Sequence, residues 1–537
     1  RVGKNININK EFSPMKRNII QIFEKHKKNV GKDSKVLCPF HDDKNPSMLI
    51  NNTNTFCFAC NKLYSFEEVA RFFGEIKKES KVKEKVILTS LIINKDLGIF
   101  AEQIYDENSK ESKFCIYNII NNEIKYEGKI EINGITYFPQ EGEELDKKAI
   151  LLPTVAVEYE NDEKLDNEIK EFIIKWLDIP EDMLQFALWN IKRSWVYERF
   201  HTLNYLRALG DIGMGKTRFL DTLGYLHYKP ISTSGATTSA PIFRIIDKWK
   251  GTLILDESDF NKSDESQDII KIINLGYERG KFIMRCDKEN NNLINFFDPF
   301  CPKILATRNP FQDKATESRC ITQVMEGTTR TDILLNINQN FWDELLVLRN
   351  KLLMWRFRNY FKIDPTIEID FDLGDLEPRV KQIVTSFITL FGQDKEQLEL
   401  FKKFITKHQE ELIEERKDSF AGAVVGAIWD LINNNQLEIN AQEIIEQGKL
   451  TDRNGNTLKP RGLSSILRSL GFRKSIKKRM EKSTKRCIPL DPKHLTKIFK
   501  RYGYDVTIVA IVTDTSERKK ETDLNSDFGN AVETIDI

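Results

Sequence analysis

The segment Gly210-Asp211-Ile212-Gly213-Met214-Gly215-Lys216-Thr217 constrains the chain more than any other. It fits the pattern GxxxxGK[ST], with an apolar run (Leu206, Leu209) before it and an amphipathic run (Phe219, Leu220, Leu223) after it. A strand, a glycine turn and a helix in that order bring backbone N–H groups around phosphate oxygens at a helix N-terminus. The expected roles follow. Gly210, Gly213 and Gly215 let the loop close, Lys216 neutralises the β and γ phosphates of ATP, and the Thr217 hydroxyl binds Mg²⁺. The surrounding alternation of strand and helix signals from Tyr205 to about Arg349 predicts an α/β core.

A second acidic element stands 40 residues after Lys216. Thr252-Leu253-Ile254-Leu255 reads as a buried strand ending in Asp256-Glu257. Asp256 suits a magnesium-holding role, and Glu257 suits orienting and deprotonating an attacking water. Two runs, Lys281 to Cys286 and Leu293 to Phe297, flank a polar turn with Lys288 at its tip and predict a hairpin. Lys303 to Thr307 reads as another core strand, followed by Arg308-Asn309-Pro310 and then Glu317-Ser318-Arg319. Glu377-Pro378-Arg379-Val380 opens a later helix.

In this order the elements resemble the AAA+ helicases of the minichromosome-maintenance group and their mobile-element relatives, with superfamily 3 alongside. The resemblance implies that Asn309 (or Thr307) senses the γ-phosphate. It implies that Arg319 is a finger reaching the ATP of a neighbouring subunit, that Arg379 is a sensor-2 arginine, and that Lys288 grips DNA in a pore. A ring, hexameric by analogy, is the expected assembly.

Cys38-Pro39-Phe40-His41 and Cys57-Phe58-Ala59-Cys60 form CxxH and CxxC pairs with fifteen residues between them. Each pair puts two ligands on one tight turn, and together they complete a tetrahedral Zn²⁺ site. With Pro46-Ser47 and Phe56 the segment resembles the zinc-binding domain of bacterial and phage primases. It departs after Cys60, where Asn61-Lys62-Leu63-Tyr64 replaces the usual Gly-Asp. No acid-rich strand-end motif for polymerising nucleotides is visible in residues 76–200, so a primase activity is not expected.

Charge is balanced over the whole chain, at net +1 in 537 residues, but not locally. Lys459 to Arg501 holds fifteen Lys or Arg against Glu481 and Asp491, a net of +13. Helix signals at Phe420 to Ile432, Ala441 to Glu446 and Pro460 to Leu470 precede a basic hairpin from Arg473 to Leu490 and a last helix. This layout resembles a winged helix. Arg461, Ser464 and Arg468 share one face of its third helix, and Lys477, Lys478 and Arg479 fall on the wing. DNA, single- or double-stranded, is the expected partner.

The expected fold is multidomain α/β: a P-loop AAA+ ATPase core with an N-terminal zinc ribbon, a β-rich N-terminal domain and a C-terminal winged helix. The expected boundaries are zinc ribbon 1–75, β-rich domain 76–160, helical linker 161–200, core 201–349, helical lid 350–417, winged helix 418–505 and disordered tail 506–537. No run is long enough to span a membrane, and eight unevenly placed cysteines suit a reducing, cytoplasmic setting. The chain opens on Arg1 rather than Met, so further sequence upstream is expected. The function expected is ATP-dependent DNA unwinding in the replication of a virus, plasmid or mobile element. Two alternatives stay open: an ATP-switched origin-binding or helicase-loading protein, and a DNA-sensing defence ATPase.

Overall fold

The computed structural model describes residues 19–26, 28, 30–31, 33–50, 54–75, 85–234, 237–256, 264–287, 293–366, 371–372, 374–452, 454–473, 476–479 and 484–513. The chain divides into two units. One gathers residues 1–87 with the hairpin 131–137, and the other holds residues 88–130 and 138–537.

In the first unit a four-stranded antiparallel sheet runs in sequence order through Lys35–Val36, Met48–Ile50, Asn54–Cys57 and Lys62–Ser65. The helix Phe66–Phe72 follows, started by Ser65 and Glu68 in a reciprocal cap. Ile19, Phe23, Val36, Met48 and Val69 fill a small core of their own. The expected turn at Asn133-Gly134 forms, and both residues take positive φ (53° and 75°), which joins two strands with the right twist.

The second unit is built on a five-stranded parallel sheet. In chain order its strands are β1 (Tyr205–Leu209), β2 (Ile231–Ser234), β3 (Leu253–Asp256), β4 (Lys303–Thr307) and β5 (Cys320–Val324). Across the sheet they run β2-β3-β4-β1-β5. Every β4 residue and all of β1 except Leu209 is buried, as a sheet covered on both faces requires. β1, which leads into the loop 210–215, thus lies between β4 and β5, and that loop opens at the carboxyl ends of the parallel strands. The helix Lys216–Phe219 continues as a wide turn, Leu220–Gly224, that crosses β3 closely. A Cβ on Gly224 would meet Ile254 Cδ1 at 2.7 Å, so any larger residue there would force the Ile254 side chain to shift.

Three expected boundaries move. Residues 76–160 are not a separate domain: the antiparallel sheet Leu91–Asn94, Ile99–Asp106, Glu111–Asn118 and Ile124–Glu127 shares one core with the helices Asp162–Trp176 and Glu181–Ser194 and with β1. Glu102 of that sheet is buried against Lys229 (2.8 Å) and Arg356 (2.6 Å), which fastens it to the parallel-sheet core. Position 349 falls inside the helix Gln339–Asn359, so no lid begins there. Position 506 is likewise too early for a tail, because Ile508, Val509 and Val512 are buried in the C-terminal core. Residues 514–537 lie outside the described residues.

The C-terminal core packs the helices Phe420–Asn433, Ala441–Gln447, Pro460–Ser469 and Pro492–Arg501 against one another, and a two-stranded hairpin, Ile476–Arg479 with Thr484–Cys487, lies between the last two in sequence. No helix among the described residues is long and apolar enough to cross a membrane.

Candidate nucleotide, metal and DNA sites

Gly213 and Gly215 take φ of 82° and 87°, which turns the loop so that Lys216 starts the helix. Lys216 folds back over the loop, its Nζ donating to the carbonyls of Gly210 and Asp211 (both 2.7 Å). Those are the contacts of an ammonium held where phosphate oxygens would replace the carbonyls. The Thr217 hydroxyl lies 3.2 Å from Asp256 Oδ2 at the end of β3. Two oxygens sharing an octahedral Mg²⁺ at 2.0–2.1 Å stand roughly 3.0 Å apart, so this pair fits that ion. Glu257 lies outside the described residues.

At the end of β4, Thr307 accepts a hydrogen bond from Gly210 N–H on its carbonyl (3.2 Å). Its side-chain hydroxyl is buried with no partner among the described residues. Asn309 stands two residues further on, exposed. Of the two residues read as γ-phosphate sensors, Thr307 is therefore the one with a buried, unpaired donor beside the loop.

Arg319 and Arg379 come together elsewhere. β5 runs parallel to β1 with Cys320 opposite Tyr205, so Arg319 lies at the start of the strands and the phosphate loop at their end. The length of β1, about 13 Å at 3.3 Å per residue, separates them. The guanidinium centres of Arg319 and Arg379 lie 4.9 and 4.7 Å from the centre of the Tyr277 ring. Arg319 also donates to Asn274 Oδ1 (2.5 Å). Burial, and then the Arg379 charge beside it, hold the Arg319 guanidinium below its ordinary value. Arg379, read as a sensor-2 arginine, thus shares the far end of the sheet with Arg319, away from its own chain's loop. Tyr277 and Asn274 left no signal in the sequence, because only the folded chain brings them to the two arginines.

In the zinc ribbon one ligand atom from each of Cys38, His41, Cys57 and Cys60 lies within 4.8 Å of the others. Cys38 and Cys60 Sγ are 3.9 Å apart, and His41 Nδ1 is 3.0 Å from Cys60 Sγ and 3.9 Å from Cys57 Sγ. Thiolates on a tetrahedral zinc at 2.3 Å stand roughly 3.8 Å apart, so the four fit that metal. Asp43 supports them. It accepts from Cys38 N–H (2.8 Å) and from the Ser47 hydroxyl (2.6 Å), and lies 3.7 Å from His41 Nε2, leaving Nδ1 for metal.

The basic module has a cavity of about 1170 Å³ lined by Arg461, Ser464, Arg468 and Lys477 together with Arg473 and Arg486, and also by Glu443 and Glu446. Leu463 and Leu467 bury the opposite face of the third helix, which leaves Arg461 and Arg468 exposed. Lys478 and Arg479 lie in the first strand of the hairpin, but their side chains are outside the described residues. The expected hairpin between β3 and β4 pairs Ile283–Cys286 with Ile294–Phe297, and Lys288 at its tip is outside the described residues.

Among solved structures the chain is similar to the apo NrS-1 C-terminal region (13% identity, 73% of this chain and 97% of that one, TM-score 0.36). It is also similar to Cch of SCCmec type IV, described as an active helicase (11% identity, 78% and 95%, TM-score 0.34). A third is a full-length MCM homolog from Methanopyrus kandleri (10% identity, 66% and 73%, TM-score 0.28). No curated protein matches the chain in sequence. Residues 14–92 match the family model of the CHC2 zinc finger, and that segment holds the Cys38-His41-Cys57-Cys60 cluster.

Proposed function

We propose that the chain is an ATP-hydrolysing motor of the AAA+ class that assembles into a ring, hexameric by analogy, and unwinds DNA in the replication of a mobile element. One observation carries the reading: Lys216, Thr217 and Asp256 meet at one end of the core sheet, while Arg319 sits a strand length away at the other. Arg319 there is out of reach of its own loop, which supports a finger that serves the loop of a second copy. In this reading Lys216 neutralises the β and γ phosphates, and Thr217 and Asp256 hold Mg²⁺. Glu257 takes the proton of the attacking water, and Thr307, with Asn309 beyond it, orients the γ-phosphate. Magnesium, when bound, supplies further neutralisation of the phosphate oxygens. Arg319 and Arg379 of the adjacent copy stabilise the charge that develops in transfer. Arg461, Arg468, Lys477, Lys478 and Arg479 contact duplex DNA in the manner of a winged helix, and Lys288 meets the strand being moved. A cytoplasmic setting suits this work.

The test is strand displacement by purified protein with ATP, joined to a mixing experiment. Arg319→Ala protein should bind ATP and not hydrolyse it, as should Arg379→Ala to a lesser degree. Added Lys216→Ala protein should restore part of the hydrolysis, because mixed interfaces pair an intact loop with an intact finger. A monomer with full ATPase activity would overturn the reading.

A further inference from the structure

Beside the core sheet lies a groove of about 530 Å³ between β5 and the helix Lys395–Asp418. β5 is the edge strand of the sheet. Tyr205 N–H donates to Arg319 O and Met325 N–H to Leu209 O, so residues 319, 321, 323 and 325 turn their backbone groups to β1. The backbone of Thr322 consequently faces the groove. Exposed edges of this kind add strands, and native chains usually blunt them with lysine or proline. Here the opposite wall is acidic: Glu411, Glu414, Glu415 and Asp418 stand along the helix, with Glu326 and Asp182 at the rim. Lys407, the one cation lining the groove among the described residues, is already bound to Asp182 (2.5 Å). Burial, and then Glu317 nearby, raise the Glu415 carboxyl above its ordinary value, with Glu411 adding to the crowding. A second, independent feature sits in the same wall. His408 is 9% exposed and its Nε2 has no partner among the described residues.

We propose that this groove binds an extended, lysine- or arginine-rich segment of a partner protein, added as a sixth strand against β5. The spacings agree. Glu411 and Glu415 are four residues apart on a helix, about 6 Å, close to the repeat of about 6.6 Å between side chains on one face of a strand. Basic side chains at alternate positions would meet the helix carboxylates, while the segment's backbone pairs with Thr322 and His408 Nε2 takes a polar group. Nucleic acid is repelled by the same carboxylates. The proposal is independent of the ATP reading, since none of these groups lies in the nucleotide site.

The experiment is fluorescence anisotropy of full-length protein with a labelled peptide of alternating Lys and Val, ten residues long. Its companions are the same peptide N-methylated on the pairing edge and the variant Glu411→Gln/Glu414→Gln/Glu415→Gln. The wild type should bind the plain peptide at micromolar concentration, with at least a tenfold loss for the triple variant and at least a tenfold loss on N-methylation, which leaves charge unchanged. Equal binding of the N-methylated peptide would overturn strand addition, and equal binding by the triple variant would overturn the acidic wall. Binding that disappears as the protein self-associates would assign the groove to a second copy and overturn the partner. If the triple variant does not fold, the two peptides on wild-type protein decide the matter.

Discussion

Arg207, in the strand that feeds the phosphate loop, holds Glu317 through both carboxylate oxygens at 2.6 and 2.5 Å. It also donates to Thr322 Oγ1 (3.0 Å), and Glu317 in turn accepts from Phe311 N–H (2.7 Å). The loop strand and the turn that presents Arg319 are therefore one rigid piece, set by a guanidinium only 2% exposed. Glu317→Gln removes the charge and keeps the shape. Breaking a fully buried pair costs 3–5 kcal/mol, and because Glu317 keeps 33% of its side chain in contact with solvent about 2 kcal/mol is expected here. Hydrolysis should fall at least tenfold while ATP binding stays, since the finger is misplaced and the loop is not. Denaturant unfolding and steady-state ATPase measurements check this, and unchanged hydrolysis would refute it.

The Thr217–Asp256 pair gives a metal-specific prediction. Thr217→Ala should raise the magnesium concentration needed for tight ATP binding, and Asp256→Asn should do the same, because each removes one oxygen from the ion. Lys216→Ala should instead weaken ATP binding at every magnesium concentration. Glu257→Gln should bind ATP normally and hydrolyse it far more slowly, since only water activation is lost. Nucleotide titrations at several magnesium levels separate the three patterns.

One zinc per chain is expected by metal analysis, from four ligands in a closed site. Cys57→Ser should release it and unfold the ribbon, with basal ATPase retained because the cluster belongs to the first unit. Zinc kept by a Cys38→Ser/Cys57→Ser protein would show that the ligands lie elsewhere.

Acid should weaken the fold before any carboxylate network fails. Burial pushes His227 down from 6.5 to about 4, with Arg193 adding to the shift, and burial does the same to His408. Both are held neutral, so their contribution is complete above pH 6.5 and is lost as pH falls toward 4. The loss by pH 5 is about 2 kcal/mol apiece. Glu102 adds to the loss at lower pH. Burial alone would raise it, but Lys229 and Arg356 hold it below the usual carboxylate range, so its contribution goes as pH falls through that depressed value. Unfolding free energy measured in urea at pH 7.5 and 5 should differ by several kcal/mol, and a flat profile would contradict the assignment.

The sequence was most legible where chemistry is local. The phosphate loop, the cysteine pairs and the Asn133-Gly134 turn each need particular residues at fixed spacing, and each is found where the spacing puts it. What could not be read depends on distant chain segments meeting. Glu102 looks like a solvated strand residue until Lys229 and Arg356 are folded against it, and so the β-rich stretch reads as a domain of its own. Arg379 begins a helix and carries no mark of its neighbour Arg319, because Tyr277 joins them only in space. Thr307 was secondary to Asn309 in the sequence because an Asn-Pro step stands out, whereas burial of a hydroxyl does not.

The basic module allows the sharpest test, because its charge is concentrated where a chain of net +1 has little to spare. Arg461, Arg468 and Lys477 face one cavity, on two elements, which is what a surface following a phosphate backbone requires. If residues 459–501 bind duplex DNA this way, log K should fall with log salt at roughly −0.9 per phosphate, so five contacts lose hundreds-fold over a fourfold rise. Truncation after Lys417 should weaken binding and flatten that slope while ATP binding persists, as the C-terminal core packs separately from the nucleotide site. Replacing Lys477, Lys478 and Arg479 by Ala together should lower affinity alike for unrelated sequences, since phosphates carry no base information. Arg461→Ala and Arg468→Ala should cost most on a preferred sequence, because an exposed helix face in the major groove meets base edges. Arg486, which sequence reading passed over, should behave like Lys477, whose cross-strand partner it is. A salt titration of DNA binding across these proteins decides between the two roles. A truncated protein that binds as tightly, with the same slope, would leave the basic run as a solvated face and move DNA contact to the core or the zinc ribbon.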